Sequence, residues 1–265
     1  MEHERVAEEI GGALRSREGI RALFLGGSHG TGDADAYSDV DFVLVAGEGA
    51  TDGVAQMWRE AVGRLGEIVL WWRQAARPAL INAITADWLR VDVVILKPDQ
   101  LGAQRQDALR VVFDHDGLYD ALAPVTVGRM PDAGLVRYRN EEFIRILGLL
   151  PLAVGREEYL NGVLGMFHLR NLLVELMIAE TGVRHRGGLL HLNRLTTQAQ
   201  RDVLTALPPA VPERAAMIAG HMEYAVAYLP RARRLAADWG VEWPERFEEV
   251  TWSRLEQTLG LTRPY

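Results

Sequence analysis

Ser38-Asp39-Val40-Asp41 opens a run that is otherwise apolar through Val45. Side chains two apart on a strand point to one face, so Asp39 and Asp41 aim two negative charges at one spot. A third carboxylate, Asp92, sits inside Arg90-Val91-Asp92-Val93-Val94-Ile95-Leu96, again in an apolar strand-like run. A buried carboxylate must be paired, protonated or bound to a metal. Oxygen-only ligand sets favour hard divalent cations, Mg²⁺ first and Mn²⁺ second. Three carboxylates meeting from two strands can hold two ions about 3.5–4 Å apart, a clamp for in-line displacement at phosphorus. Arg90, on the same face as Asp92, offers a simpler partner, and Asp39 could cap a turn. The Asp-x-Asp pattern alone does not choose between these readings.

The segment upstream shifts the balance. Leu23-Phe24-Leu25-Gly26-Gly27-Ser28-His29-Gly30-Thr31-Gly32 is an apolar strand breaking into a glycine-rich turn. Glycines let backbone N–H groups approach an anion, and the serine hydroxyl adds a donor. The turn lacks the lysine of a Walker A loop and the spacing of a dinucleotide fingerprint. The signal is the combination of Gly-Ser after a strand, Asp-x-Asp at the next strand, and a third Asp in a later one.

These residues need elements to hold them. Residues 6–14 read as a helix, 22–25 as a strand, 39–45 as a central apolar strand, and 54–65 as a helix. Residues 68–72 and 89–96 read as further strands, and 111–113 as a fifth, closed by Asp114-His115-Asp116-Gly117. The second half changes character. Residues 135–150, 157–181, 212–239 and 244–260 are long apolar-periodic segments, with Pro212 and Pro244 suited to first turns and Gly182 and Gly240 to C-terminal caps. Residues 123–134, with two Pro and two Gly, read as a linker. The expectation is an α/β domain over residues 1–125 and an all-α helical bundle over 126–265. Within it, 157–181 is apolar almost all round and should form the buried axis. His168, Asn171 and Glu175 make one polar stripe there, either a cleft wall or an internally satisfied network. The seven tryptophans, Trp71-Trp72 included, are assigned to core, and His185 and His191 to a loop.

Composition sets outer bounds. Absent cysteine excludes disulfides, thiolate metal sites and Cys nucleophiles. The net charge of −7, with its acidic excess in the N-terminal half, argues against a nucleic-acid track. The N-terminus is charged and amphipathic, unlike a secretory signal. The apolar run 146–154 contains Pro151 and is too short to span a bilayer. A soluble cytoplasmic protein is the expectation.

Gly27-Ser28 followed by Tyr37-Ser38-Asp39-Val40-Asp41 resembles the signature of the polymerase-beta nucleotidyltransferase superfamily. The likeness is closest to bacterial aminoglycoside and lincosamide nucleotidyltransferases, which place a helical domain after the catalytic one. The resemblance implies a mixed α+β sheet domain carrying the chemistry and a helical domain binding substrate or nucleotide. It implies Asp39, Asp41 and Asp92 as ligands of two Mg²⁺ ions, with Mn²⁺ as the substitute. Asp92 would take the acceptor proton, with Glu175 as the alternative base. Gly27 and Ser28 would hold the β- and γ-phosphates of ATP or another nucleoside triphosphate, supported by Ser38. Many relatives carry a basic residue where this chain has Thr31, so Arg184, Arg186 or Arg194 would have to meet that charge. The implied reaction moves AMP onto a hydroxyl of a small acceptor, with no membrane involved. Alternatives are a protein or RNA acceptor, or a non-catalytic regulatory or antitoxin-like relative. The active cleft would lie within one chain or be shared in a homodimer.

Overall fold

The computed structural model describes residues 2–47, 51–74, 79–125 and 132–265. The chain divides into two compact units, Met1–Val127 and Gly128–Tyr265.

The first unit runs α1 (Glu2–Leu14), β1 (Ile20–Leu25), a one-turn α2 (Gly27–Thr31), β2 (Val40–Ala46), α3 (Thr51–Gly63), β3 (Ile68–Gln74), β4 (Ala79–Thr85), β5 (Arg90–Leu96) and β6 (Arg110–Asp114). The strands form one mixed sheet in the order β3-β4-β5-β2-β1-β6, with β2 and β5 parallel and the other neighbours antiparallel. Strand alternation divides β2 between two cores. Val40, Phe42 and Leu44 face α1 and α3, where they pack with Ile10, Leu14, Val54 and Trp58. Val43 and Val45 face the other side, with Phe24, Leu96, Leu101 and Leu109. Asp41 shares the face of Val43 and Val45, and Asp92 that of Val94 and Leu96. Both carboxylates therefore belong to the thinly covered side, at the starts of two parallel strands.

Sequence periodicity passes over β4. Its seven residues, Ala79–Thr85, alternate between partly buried and buried positions and pair with both β3 and β5. Strand β3 is an edge, and Trp72 there is 62% exposed rather than core. Trp88 is also exposed, whereas Trp58 and Trp252 are buried.

The second unit is helical: α4 (Ala133–Gly148), α5 (Leu150–Gly155), α6 (Tyr159–Thr181), α7 (Leu192–Leu195), α8 (Gln198–Ala206), α9 (Arg214–Asp238) and α10 (Glu245–Leu259). Asp132 caps α4, accepting from the Leu135 amide at 2.9 Å, so the helix begins before the expected linker ends. Residues 126–131 of that linker lie outside the described residues. Met166, Leu173 and Met177 of α6 pack with Phe143, Tyr228 and Trp252 in one core. The expectation of an all-round buried axis fails toward the start of α6, where Leu160, Leu164 and Phe167 are exposed. By length and composition α6 could cross a bilayer, and half of that apolar window is buried inside the unit.

Candidate active site

Topology brings the glycine-rich turn to the carboxylates. Because β1 runs antiparallel to β2, its C-terminal end meets the N-terminal end of β2. The Gly26 amide donates to the Asp41 carbonyl at 2.8 Å. Gly27 then takes a φ of +51°, a left-handed backbone that glycine adopts without strain. A Cβ at Gly27 would stand 1.9 Å from Asp41 Oδ2, so the turn can lie this close only without a side chain.

Asp39, Asp41 and Asp92 each offer an oxygen, and the three lie within 4.8 Å of one another. A single cross-strand row sets this up: Asn82 of β4 stands opposite Asp92 of β5, which stands opposite Asp41 of β2. Burial, with the neighbouring charges of Asp39 and Asp92, pushes the Asp41 carboxyl up to about 6. Burial also raises Asp92, against the hydrogen bond from Asn82 Nδ2 to Asp92 Oδ2 at 2.6 Å. Like charges this close cannot all ionise cheaply, and a divalent cation among them removes the conflict.

Arg90 does not take Asp92. Its guanidinium reaches Asp39 at 3.5 Å and the Tyr37 carbonyl at 2.8 Å. It thus steadies the turn into β2 and leaves Asp92 to Asn82. Ser38 has a similar part: its hydroxyl accepts from the Asp35 amide at 3.0 Å and donates to Asp35 Oδ1 at 3.2 Å. Ser28 differs: its Oγ is buried and has no partner among the described residues. His29 Nε2 next to it is also buried, again with no partner among the described residues. Thr31 donates to Asp33 at 2.8 Å, so its hydroxyl is engaged within the loop.

The polar stripe on α6 is an ion-pair network. Glu175 accepts from Arg139 at 2.7 Å and from Arg186, and His168 meets Glu142 at 3.1 Å. Arg186 is thereby engaged inside the helical unit.

Asn82 is the residue that sequence reasoning missed. It orients Asp92 as an outer hydrogen-bond partner orients a metal ligand. Asn82→Ala should leave the unit folded and weaken divalent-cation binding about 10–100-fold. Calorimetric titration of Mn²⁺ against wild type and variant measures this, and equal affinities would exclude the positioning role.

Residues 7–72 match the model of the nucleotidyltransferase domain. Among curated proteins, none matches the chain significantly. Similar solved structures include an aminoglycoside 6-adenyltransferase from Bacillus subtilis at 14% identity and a TM-score of 0.44, covering 96% of this chain and 97% of that one. A nucleotidyltransferase-like protein from Exiguobacterium sibiricum is 12% identical with a TM-score of 0.38, covering 97% and 88%. Both superpose too loosely to bear on the acceptor.

Proposed function

We propose that this chain, whose N-terminal unit carries a nucleotidyltransferase domain of the polymerase-beta type, moves AMP from ATP onto a hydroxyl of a small acceptor. The observation that carries this reading is the meeting of Asp39, Asp41 and Asp92 beside the Gly27-Ser28 turn.

The donor set fits a hard divalent cation: all oxygen, converging and charged beyond what local partners offset. In our reading the three aspartates hold Mg²⁺, two ions at full occupancy, with Mn²⁺ able to substitute. Bound there, the metal supplies neutralisation of triphosphate charge and polarisation at the α-phosphorus. Ser28 Oγ, buried with no partner among the described residues, and the first amides of α2, which have no acceptor within the helix, are the donors we assign to the phosphates. Ser38, committed to Asp35, serves by fixing the turn that presents Asp39.

The acceptor oxygen attacks the α-phosphorus, the bond to the bridging oxygen breaks, and pyrophosphate departs. In our reading Asp92 receives the hydroxyl proton, the role the sequence resemblance gives it, and burial raises its carboxyl in the direction that suits a base. Glu175 is the weaker choice as base, being already tied to two arginines. The acceptor we favour is a hydroxylated antibiotic of aminoglycoside or lincosamide type, on the sequence resemblance alone. The helical unit would supply acceptor or nucleotide contacts, and the setting would be cytoplasmic.

Incubation with MgATP and a panel of aminoglycosides and lincosamides should release pyrophosphate with at least one member. Silence across the panel, with MgATP bound, would remove the antibiotic acceptor. Failure to bind MgATP at all would remove nucleotide transfer.

A further inference from the structure

The helical unit holds a cavity of about 410 Å³ that shares no residue with the carboxylate cluster. Its size falls within the range of small-molecule sites. Ile146, Leu149, Leu150, Leu152, Ala153 and Leu164 give it apolar walls. Leu149, Leu152 and Leu164 are also exposed, so it opens to solvent.

Arg156, Glu158, Asn161 and His168 also line it, and one further polar group reaches it from the core. His221 on α9 is 3% exposed and lines the cavity. Its Nδ1 lies 2.8 Å from the Met217 carbonyl oxygen, which can only accept. Nδ1 therefore carries the ring proton, and Nε2 keeps a lone pair. Burial lowers the His221 pKa, which keeps the ring neutral. No described residue donates to Nε2. The lone pair therefore faces the cavity and can accept from whatever occupies it, solvent or ligand.

Gly165 explains how Nε2 stays accessible. It lies inside α6, where alanine is the better helix former. A Cβ at this position would stand 3.7 Å from His221 Nε2 and 3.8 Å from Ile146 Cγ2, ordinary contact distances. Packing therefore does not require glycine here. A methyl group would stand in contact with Nε2, and glycine leaves that space to the cavity.

We propose that this cavity binds a small, largely apolar molecule carrying one N–H or O–H donor, which His221 Nε2 accepts. The apolar walls take the body of the ligand, and the neutral His221 ring takes its donor on the core side of the cavity. This site does not depend on nucleotide transfer.

Indole and benzofuran are matched probes: the same bicyclic shape, with an N–H in one and none in the other. Titrated into the full chain by calorimetry or ligand-observed NMR, indole should bind saturably at one site. Benzofuran should bind about fivefold more weakly, the loss of one neutral hydrogen bond. His221→Phe should abolish that preference. Gly165→Ala, which fits without strain, should weaken indole about tenfold without lowering the melting temperature. Absence of saturable indole binding, or equal affinity for the two probes, would overturn the proposal. So would a preference that survives His221→Phe. Should that variant not fold, unchanged indole affinity in Gly165→Ala would decide against it.

Discussion

Asp41→Asn and Asp92→Asn are each expected to lower nucleotide transfer by at least ~10³-fold, on the scale of removing one group that stabilises transition-state charge. The same Asp41→Asn change should raise the melting temperature of the metal-free protein. The two effects have one cause. Asp41 is buried beside Asp39 and Asp92, and its carboxyl is pushed up to about 6. Each pKa unit corresponds to about 1.4 kcal/mol between protonation states. Discounted for the site's partial exposure, ionised Asp41 costs the empty fold on the order of 1–2 kcal/mol at neutral pH. The amide of asparagine keeps the shape and loses the charge, so that cost goes. For a domain of this size the gain is roughly 3–8 °C. With it goes the ability to hold a divalent cation, and activity falls because charge on the triphosphate is no longer matched. Pyrophosphate release on an accepted substrate and a thermal melt in chelator make the paired measurement. Either variant within tenfold of wild-type activity would sink the catalytic assignment. A destabilised Asp41→Asn would show that repulsion is not the state of the site.

How much of this was legible in the sequence depends on how local each feature is. The Asp39–Asp41 pair is read from a two-residue period, and a strand imposes that period whatever its neighbours. The Gly27-Ser28 turn is similarly local. That Gly27 lies against Asp41 follows once β1 and β2 are antiparallel neighbours, which two adjacent apolar strands suggest but do not prove. Asn82 is out of reach of the sequence because nothing local marks β4 as a strand. Its alternation is compressed into seven residues, Ala-Leu-Ile-Asn-Ala-Ile-Thr, and Asn is a weak strand former. Only its register opposite Asp92 gives that side chain meaning. Arg90 shows the reverse limit. Two residues from Asp92, it looks like the natural partner, yet the long guanidinium stem reaches Asp39 and the Tyr37 carbonyl across the sheet. The length of a side chain defeats inference from spacing. Residue type alone puts Trp72 in the core, but its place on an edge strand leaves it exposed. The start of α6 fails as a buried axis for the same reason: apolar periodicity reports what a helix could bury, not what the rest of the chain brings to cover it.

Chelation should abolish transfer outright, and the stabilisation that a divalent cation gives should depend on pH with a definite sign. The folded-state pKa of Asp41, about 6, lies above the ordinary carboxyl value of 3.8. Stability tied to this group in the metal-free protein is therefore fully present below about 3.8 and is lost as pH rises through about 6. A cation needs the ionised carboxylate, so its affinity moves the other way. Below a pKa near 6 each unit of pH should weaken binding by up to about tenfold as protons compete for Asp41. Added Mg²⁺ or Mn²⁺ should thus shift the melting temperature strongly at pH 7.5 and little at pH 5. A cation at a hundred times its Kd contributes about 2.7 kcal/mol. That exceeds the electrostatic cost of the ionised cluster, so the loaded protein should be more stable at pH 7.5 than the stripped protein at pH 5. Thermal melts at the two pH values, with cation and with chelator, test this directly. Asp41→Asn serves as the control that should lose both the shift and its pH dependence. A shift of equal size at both pH values, or one retained in that variant, would mean the cation binds somewhere other than among these three carboxylates.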